Sequence, residues 1–362
     1  MATPMTHRER VLTASRRQPP DRVPKWIDYE SFAPGLMQTF QRETRAAKPE
    51  DFFDYEVRQV HFRPPAPRRE LARYLPARIP DDAEIDWNWG NVFVRGQHKN
   101  VAVTIHHALG TAGSAAEIEA YPMPDFLARY RWEHVRGEVE ALHRRELAVM
   151  GAMSMTLFEV AWGVRGFENF LIDMKVNEAM TRVLLDKITE MRCAMARIFV
   201  EAGVDVLRLG DDVGIERGMM ISRATWAKWL KPRLAQVITA AREVNPDVLV
   251  FYHSDGDCRA VIPELIEIGV DILNPVQPEC MDPAEIKRLY GDRLAFWGTI
   301  GTQTTMPFGS PDDVRREVIT RIETVGRGGG LLLGPSHLLQ DDVPWANVLA
   351  FFDAVQKYGA YG

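Results

Sequence analysis

The sequence has few cysteines, no excess of positive charge and no apolar run long enough to span a membrane. Its three cysteines, Cys193, Cys258 and Cys280, are too few and too far apart in 362 residues for a disulfide framework, which favours a reducing compartment. The net charge of -6 argues against nucleic acid or an anionic membrane as the principal partner and favours a small molecule. Because there is neither a span of roughly 18 apolar residues nor the apolar segment of a signal peptide, we expect a cytoplasmic protein.

What the chain does contain is a series of short apolar runs that each end in polar residues. The seven runs occupy residues 23–30, 148–156, 204–212, 248–257, 270–277, 294–303 and 329–337. Runs of this length separated by helical stretches predict parallel strands that are buried on both faces. The pattern therefore predicts an α/β fold, a (β/α)8 TIM barrel whose active face is formed by the polar ends of its strands.

The length and the hydrophobic content of 46% predict a single barrel domain over residues 1–362. Residues 6–15 have helical spacing with Thr6 as a suitable N-cap, and we expect this helix to cover the bottom of the barrel. Residues 63–123 are first proline-rich and then strand-like, which indicates an insertion with a hairpin in the N-terminal part of the chain. Further helices are predicted over residues 124–145, 177–202, 222–244 and 311–325.

Two strand ends carry residues suited to metal binding or proton transfer. His253 and Asp255 follow the run VLVFY, and a histidine with a carboxylate two residues later can bind a transition metal or exchange a proton. The alternative is that His253 is structural and Asp255 caps the next helix. Asp211 and Asp212 end the run VDVLRLG, where crowded carboxylates raise each other's pKa, although both also suit a solvated loop.

The remaining strand ends supply candidate substrate contacts. His337 is expected to face His253 across the mouth of the barrel if both strands belong to it. At the other strand ends, neutral polar groups, a tryptophan and two acids are predicted to line the pocket. The alternative is that the polar groups bind the loop backbone and the tryptophan packs in the core. These predicted substrate-binding residues are Trp26, Asp28, Glu30, Asn274, Gln277, Gln303 and Ser336.

Several segments together resemble the uroporphyrinogen decarboxylase superfamily. They include RERVLTASRRQPPDRVPKW, FYHSDGD, GDRLAFWGTIGTQ and GGGLLLGPSHLLQDDVPWANVLAFFDAV, and the resemblance covers nearly the whole chain. It implies a (β/α)8 barrel, usually a homodimer, with the site at the C-terminal mouth. It also implies one of two chemistries, which are cofactor-independent porphyrinogen decarboxylation and zinc-dependent methyl transfer involving a corrinoid protein or a thiol.

The sequence departs from both patterns of that superfamily. The decarboxylases carry an arginine-rich segment after the first strand, and KWIDYE stands here instead, so acids would meet the carboxylates of a porphyrinogen. The zinc methyltransferases use His-x-Cys and a distal cysteine, whereas this chain has His253-Ser254-Asp255 and, at the distal position, Ser336-His337. The resemblance therefore implies a zinc site of His253, Asp255 and His337, with Cys280 as an additional ligand.

We accordingly predict a methyltransferase that moves a methyl group from a small methoxylated or methylated substrate to cobalamin on a separate corrinoid protein. Zinc would act as the Lewis acid, and Asp212 could donate a proton to the leaving group. The main alternative is a metal-independent decarboxylase or lyase, in which Asp212 or Asp255 protonates a carbanion while His337 or Asn274 holds the acid. A binding protein that has lost its chemistry is a further alternative, and bound metal separates the two enzymatic hypotheses.

Overall fold

The computed structural model describes residues 4–96 and 102–361. The strands are β1 (Val57–Val60), β2 (Ala83–Asp86), β3 (Asn91–Arg95), β4 (Ala102–His106), β5 (Ala148–Ala152), β6 (Val206–Gly210), β7 (Gly214–Ile215), β8 (Gly218–Met219), β9 (Leu249–His253), β10 (Ile272–Asn274), β11 (Ala295–Ile300) and β12 (Leu331–Pro335). Seven of them form one sheet in the order β1-β5-β6-β9-β10-β11-β12, and every pairing in it is parallel. The sheet curls into a half-barrel, as the predicted barrel requires.

Helices cover the outer face of this sheet and follow its strands in the alternating order that the sequence predicts. They are α1 (His7–Ser15), α2 (Pro34–Thr44), α3 (Pro49–Phe52), α4 (Ala115–Glu119), α5 (Arg129–Trp132), α6 (Val135–Arg144), α7 (Phe158–Arg165), α8 (Phe167–Val176), α9 (Glu178–Glu201), α10 (Arg223–Trp229), α11 (Lys231–Val244), α12 (Ile262–Glu267), α13 (Pro283–Tyr290), α14 (Thr305–Phe308), α15 (Pro311–Thr324) and α16 (Trp345–Tyr358). Within the described residues, none of these helices combines the length and the apolar character needed to cross a membrane.

Helix α1 forms where it is predicted and lies against the N-terminal ends of the sheet. Thr6 Oγ1 accepts a hydrogen bond from the backbone N–H of Glu9, and the Glu9 carboxylate accepts from the N–H of Thr6, which completes a capping box. Arg8 in the first turn donates to the carboxylate of Asp205, which directly precedes β6. The helix is thereby fixed at the end of the sheet opposite the polar strand ends.

The first predicted run, residues 23–30, does not form a regular strand. In addition, one strand of the sheet has no counterpart among the predicted runs. Residues 23–27 are extended but make a single parallel bridge, Lys25 to Leu333, and Asp28–Glu30 form a 3-10 turn. Pro24 has no N–H for a continuous ladder. The edge strand of the sheet is instead β1, whose sequence VRQV looks half polar. Its Arg58 is nevertheless buried, because the guanidinium donates to the backbone carbonyls of Tyr55 and Val57.

Residues between β1 and β5 form a small separate sheet. Strands β2, β3 and β4 pair antiparallel in that order, with a short 3-10 helix (Arg69–Tyr74) before them and α4 after them. The predicted strand-like run from residue 100 begins outside the described residues and continues as β4. The hairpin of the predicted segment 63–123 is thus present, while its status as an insertion into a barrel domain stays a prediction.

Candidate functional site

Three of the predicted catalytic residues meet at the C-terminal edge of the parallel sheet. Strands β6 and β9 are neighbours, with Gly210 opposite His253, so the residues that follow them lie side by side. His253 Nε2 is 3.6 Å from Asp212 Oδ1 and 3.7 Å from Asp255 Oδ1, and one ligand atom from each residue lies within 4.8 Å of the others. Imidazole nitrogen and carboxylate oxygen are ligands that zinc and other transition metals accept, so these three residues could hold a metal ion.

Two glycines allow the strand ends to approach this closely. A Cβ on Gly210 would lie 2.7 Å from the Cβ of His253, so any larger residue on β6 would push the imidazole away. Gly256 follows Asp255 with φ +76°, and a Cβ there would lie 2.6 Å from the backbone of Gly214. The hairpin β7–β8 therefore packs directly on the loop that carries Asp255, and the Asp257 N–H donates to the Ile215 carbonyl over 2.8 Å.

The adjacent acids Asp211 and Asp212 have different roles. Asp211 is buried and accepts hydrogen bonds from the backbone N–H groups of Leu157 and Glu159, so it caps helix α7. Burial raises the pKa of Asp211 to about 7, against the effect of those hydrogen bonds. Asp212 belongs to the cluster with His253, and its Oδ1 accepts from the N–H of Asp255 over 2.8 Å.

Burial and crowding raise the pKa values of Asp255, which belongs to the cluster, and of Glu159 beside it. Burial is the main cause for Asp255, and Asp212 adds to it, whereas His253 and His337 oppose the rise in pKa. Asp255 Oδ1 accepts no hydrogen bond from the described residues although it is buried. Glu159 Oε2 accepts from the Asp212 N–H, and burial followed by Asp211 and Asp212 raises the pKa of Glu159 to about 8. The carboxyls thus raise one another's pKa values.

A cavity of about 430 Å³ opens beside the cluster. It is lined by Gly214, Ile215, Glu216, Met220, Asp255, Gly256, Gln277, Cys280, Thr302, Gln303, Ser336, His337, Leu338 and Gln340. Among the described residues that line it, none is a lysine or an arginine. The hairpin β7–β8, which supplies Ile215 and Glu216, has no signal in the apolar pattern because its strands have two residues each.

His337 lies at this cavity beside Asp255. Its Nε2 is 4.0 Å from Asp255 Oδ2, and its ring centre is 6.4 Å from that of His253, so the two predicted histidines lie close together. Cys280 also lines the cavity but is not one of the three clustered ligands. Burial, followed by the charge of Glu279, raises the pKa of the Cys280 thiol to about 11, which keeps it protonated near neutrality.

The neutral residues predicted to bind substrate are mostly engaged with the protein itself. Ser336 Oγ donates to the Ile300 carbonyl over 2.8 Å, and Gln277 Oε1 accepts from the N–H of Gly256 over 3.3 Å. Gln303 is exposed at the rim of the cavity. Asn274 is buried behind His253, with its Oδ1 2.6 Å from His253 Nδ1. The structure therefore brings Gln277, Gln303 and Ser336 to the cavity and places Asn274 outside its lining.

The residues predicted from the first strand do not reach the cavity lining. Trp26 packs inside the sheet with its ring centre 5.8 Å from that of Trp297. Asp28 forms a two-point salt bridge with Arg208 of β6, in which Nη2 and Oδ2 are 2.8 Å apart and both side chains are 1% exposed. Glu30 Oε1 accepts from the backbone N–H of Gln59. Arg208 was absent from the predicted site, although an arginine within an apolar strand already indicates a buried acidic partner.

A parallel half-barrel whose charged cluster lies at the carboxyl ends of its strands defines the class of α/β enzymes with their site at the mouth of a barrel. The sequence model for uroporphyrinogen decarboxylase (URO-D) matches residues 107–358. The chain therefore belongs to the uroporphyrinogen decarboxylase family, as the resemblance of its motifs predicts, and to a superfamily of enzymes.

Relatives in this superfamily include both methyltransferases and decarboxylases. The methylcobamide:CoM methyltransferase MtaA of Methanosarcina barkeri is 26% identical over 267 residues, covering 70% of this chain and 74% of that protein. The uroporphyrinogen decarboxylase of Chlorobium phaeobacteroides is 22% identical over 369 residues and covers 98% of each chain. Among solved structures, a methyltransferase from Methanosarcina mazei superposes with a TM-score of 0.69 at 18% identity, covering 98% of this chain and 99% of that one, which supports the fold.

Proposed function

We propose that the protein transfers a methyl group from a small methoxylated or methylated compound to the cobalt of a separate corrinoid protein, assisted by zinc. The observation that carries this proposal is the group formed by Asp212, His253 and Asp255, whose ligand atoms lie within 4.8 Å of one another. The similarity to a methylcobamide:CoM methyltransferase supports corrinoid-dependent methyl transfer.

The clustered residues fit a zinc ion. Zinc accepts imidazole nitrogen and carboxylate oxygen ligands. Asp255 Oδ1 is buried and accepts no hydrogen bond from the part of the chain that the structure describes, and a bound cation would satisfy it. His253, Asp212 and Asp255 would hold the metal, while His337 lies beside Asp255 at the cavity and Cys280 lies outside the group. Zinc bound there would polarise the heteroatom that carries the methyl group.

The charge of the cavity favours a neutral or cationic substrate. Glu216 and Asp255 line it, and none of the described lining residues is a lysine or an arginine. A porphyrinogen with many carboxylates would be repelled from such a surface and would find no guanidinium to bind it. A volume of about 430 Å³ suits a small molecule.

The reaction conserves atoms and charge without an external oxidant. The carbon–heteroatom bond breaks with its electron pair left on the heteroatom, and the methyl group is taken up by cobalt(I), which supplies two electrons and becomes methylcobalt(III). The heteroatom then takes one proton. We assign this proton to His337, because His337 lines the cavity and Asp212, the donor expected from the sequence, does not.

Decarboxylation of a small acid is the second candidate, favoured by the raised pKa of Asp255, which suits proton delivery to a carbanion. The absence of lysine and arginine among the described lining residues weighs against an anionic substrate.

Metal content and methyl transfer test the proposal together. Protein purified without chelators should contain close to one zinc per chain, and His253→Ala should lose it, whereas His106→Ala, a matched change on β4, should not. Mixed with cob(I)alamin and methylated donors, wild-type protein should produce the methylcobalamin absorbance. Wild-type protein without zinc and without methylcobalamin formation, but with release of carbon dioxide from a small acid, would establish the second candidate instead.

We also infer that residues 23–27 close the half-barrel as its eighth member. The Trp26 N–H donates to the Leu333 carbonyl over 3.1 Å and the Leu333 N–H donates to the Pro24 carbonyl over 2.9 Å. On the other side the Glu56 N–H reaches the Lys25 carbonyl at 3.4 Å. The homodimer and the cytoplasmic location stay predictions, and light scattering on the purified protein tests the former.

A further inference from the structure

We infer that Asn274 is a positioning residue that holds His253 in the tautomer with Nδ1 protonated, so that the Nε2 lone pair points at Asp212 and Asp255. The inference rests on the proposed function only in treating Nε2 as the metal-binding atom. It concerns a residue that the sequence indicates as a substrate contact and that the structure places behind the histidine.

The orientation of the Asn274 amide follows from its two partners. Its Nδ2 lies 2.8 Å from the Trp297 carbonyl oxygen, which can only accept a hydrogen bond, so the NH2 group must face that carbonyl. The amide oxygen Oδ1 therefore faces His253 Nδ1 at 2.6 Å. Because an amide oxygen is also only an acceptor, Nδ1 must carry the hydrogen, and in the neutral imidazole Nε2 is left with its lone pair.

The surroundings keep this arrangement in place. Asn274 is 2% exposed and His253 is 7% exposed, so solvent has little access to replace either hydrogen bond. The two residues are opposite each other in the pairing of β9 and β10, and the Ser254 N–H donates to the Asn274 carbonyl over 3.0 Å. Backbone and side chain of Asn274 thus both act on the segment that carries His253.

The backbone is strained beside Asn274 and beside its partner Trp297. Val276 has φ +50° and Thr299 has φ +76°, and β-branched residues rarely adopt this left-handed conformation. Val276 lies two residues after Asn274, and Thr299 lies two residues after Trp297, whose carbonyl anchors the amide. Strain of this kind persists at sites where the surrounding structure over-determines the geometry. At this site it flanks the hydrogen-bond chain from Trp297 through Asn274 to His253.

A histidine that binds a metal through one nitrogen commonly donates from the other to an oxygen acceptor, and loss of that acceptor weakens metal binding about 10- to 100-fold. We therefore expect Asn274→Leu, which keeps the branched shape but removes the acceptor, to weaken zinc binding by that factor. Asn274→Asp retains an oxygen facing Nδ1 and should keep the tautomer.

The test uses nitrogen NMR of the metal-free protein, so it needs neither zinc nor activity. Protein labelled with 15N-histidine is examined by long-range proton–nitrogen correlation at about pH 8.5, where histidine is ordinarily neutral. The His253 signals are identified by their loss in His253→Ala. Wild-type protein and Asn274→Asp should show a protonated Nδ1 and an unprotonated Nε2, whereas Asn274→Leu should show a substantial population of the Nε2-protonated form.

Asn347→Leu is the matched control. Asn347 is also buried and donates to the carbonyls of Met306 and Gly309, so its loss disturbs the fold without touching His253. It should leave the His253 tautomer and the zinc dissociation constant unchanged.

A neutral His253 that carries its hydrogen on Nε2 in the wild-type protein would overturn the inference, as would an unchanged tautomer in Asn274→Leu; a ring protonated on both nitrogens is first titrated to the neutral form. If Asn274→Leu does not fold, the wild-type and Asn274→Asp spectra still decide the question. Wild-type protein that shows the expected tautomer but binds no zinc would refute the proposed function while leaving the positioning role of Asn274 intact.

Discussion

The two ends of the parallel sheet both gather carboxylates, but the charged groups around them differ. At the N-terminal end, Glu56 is 0% exposed and lies within 4 Å of three cationic side chains, Arg10, Arg22 and Lys25. At the C-terminal end, the ion-pair partners of Asp212 and Asp255 among the described residues are histidines.

The paired charges at the N-terminal end therefore have a structural role. The Lys25 N–H donates to Glu56 Oε2 over 2.7 Å, and Arg10 also binds Asp21, so each charge there has several partners. The C-terminal end instead leaves Asp255 Oδ1 without a hydrogen bond from the described residues. Uncompensated buried charge costs stability, and it is retained where a ligand supplies the missing partner. Under the proposed function, the difference separates the end of the half-barrel that maintains the fold from the end that binds metal and substrate.

The largest expected effect is at the N-terminal end. Glu56→Ala leaves Arg10, Arg22 and Lys25 close together without their shared carboxylate, so the free energy of unfolding should fall by about 3 to 5 kcal/mol. Urea unfolding measures this, and Asp54→Ala, at a carboxylate whose side chain is 64% exposed, should cost less than about 1 kcal/mol. A loss in Glu56→Ala no greater than that in Asp54→Ala would remove the distinction between the two ends.

Zinc should produce the next effect, at the C-terminal end. Free zinc at 100 times its dissociation constant should raise the free energy of unfolding by about 2.7 kcal/mol, because it binds the folded chain. Asp255→Asn should abolish most of this gain. Asp257→Asn is the control, since Asp257 is paired with Arg259 and is not one of the clustered ligands. Equal zinc stabilisation in both variants would place the metal elsewhere.

Glu30 should make stability depend on pH. Burial raises its pKa to about 8 from an ordinary value of 4.5, so the folded chain holds a proton that the unfolded chain releases. The free energy of unfolding therefore falls as pH rises from 4.5 to about 8. Glu30→Gln, which keeps an acceptor for the Gln59 N–H, should be more stable than wild type at pH 9 by about 2 kcal/mol and equal to it near pH 4.5.

Exposed Glu43 offers the matched change for that experiment, because Glu43→Gln should leave the pH dependence as it is. A wild-type unfolding free energy that is flat between pH 5 and pH 9 would contradict the role given to Glu30.

The smallest effect should appear when Asp255→Asn is unfolded without metal. Removing one of the crowded carboxylates should raise the free energy of unfolding by about 1 kcal/mol at pH 8, where the raised pKa of Asp255 makes ionisation unfavourable. Chelator-treated wild-type protein is the reference. Destabilisation of this variant without metal would show that Asp255 contributes to the fold, as Glu56 does.

Sequence patterns predict the parts of this structure in which apolar residues are buried and polar residues are at strand ends. The apolar runs before His253 and Asp212 predict neighbouring parallel strands, and strand ends of one sheet meet at one edge, so the cluster of acids and histidines follows from the fold. The pattern fails for β1, because the aliphatic part and the hydrogen bonds of Arg58 allow a charged residue inside a strand. The pattern also predicts Asn274 as a cavity residue, although its side chain lies behind His253. The direction of a side chain at a strand end depends on partners such as Trp297, which the pattern does not reveal.

The packing of hairpin β7–β8 on the loop after His253 has a mechanical consequence. Gly214 and Gly256 are in backbone contact, and the Asp257 N–H is bonded to the Ile215 carbonyl. Ile215 lines the cavity from one side of this junction, and Asp255 lines it from the other. A molecule large enough to displace the hairpin must also pull on the loop that carries Asp255. If the proposed substrate occupies this cavity, its size would therefore affect the geometry of the charged cluster.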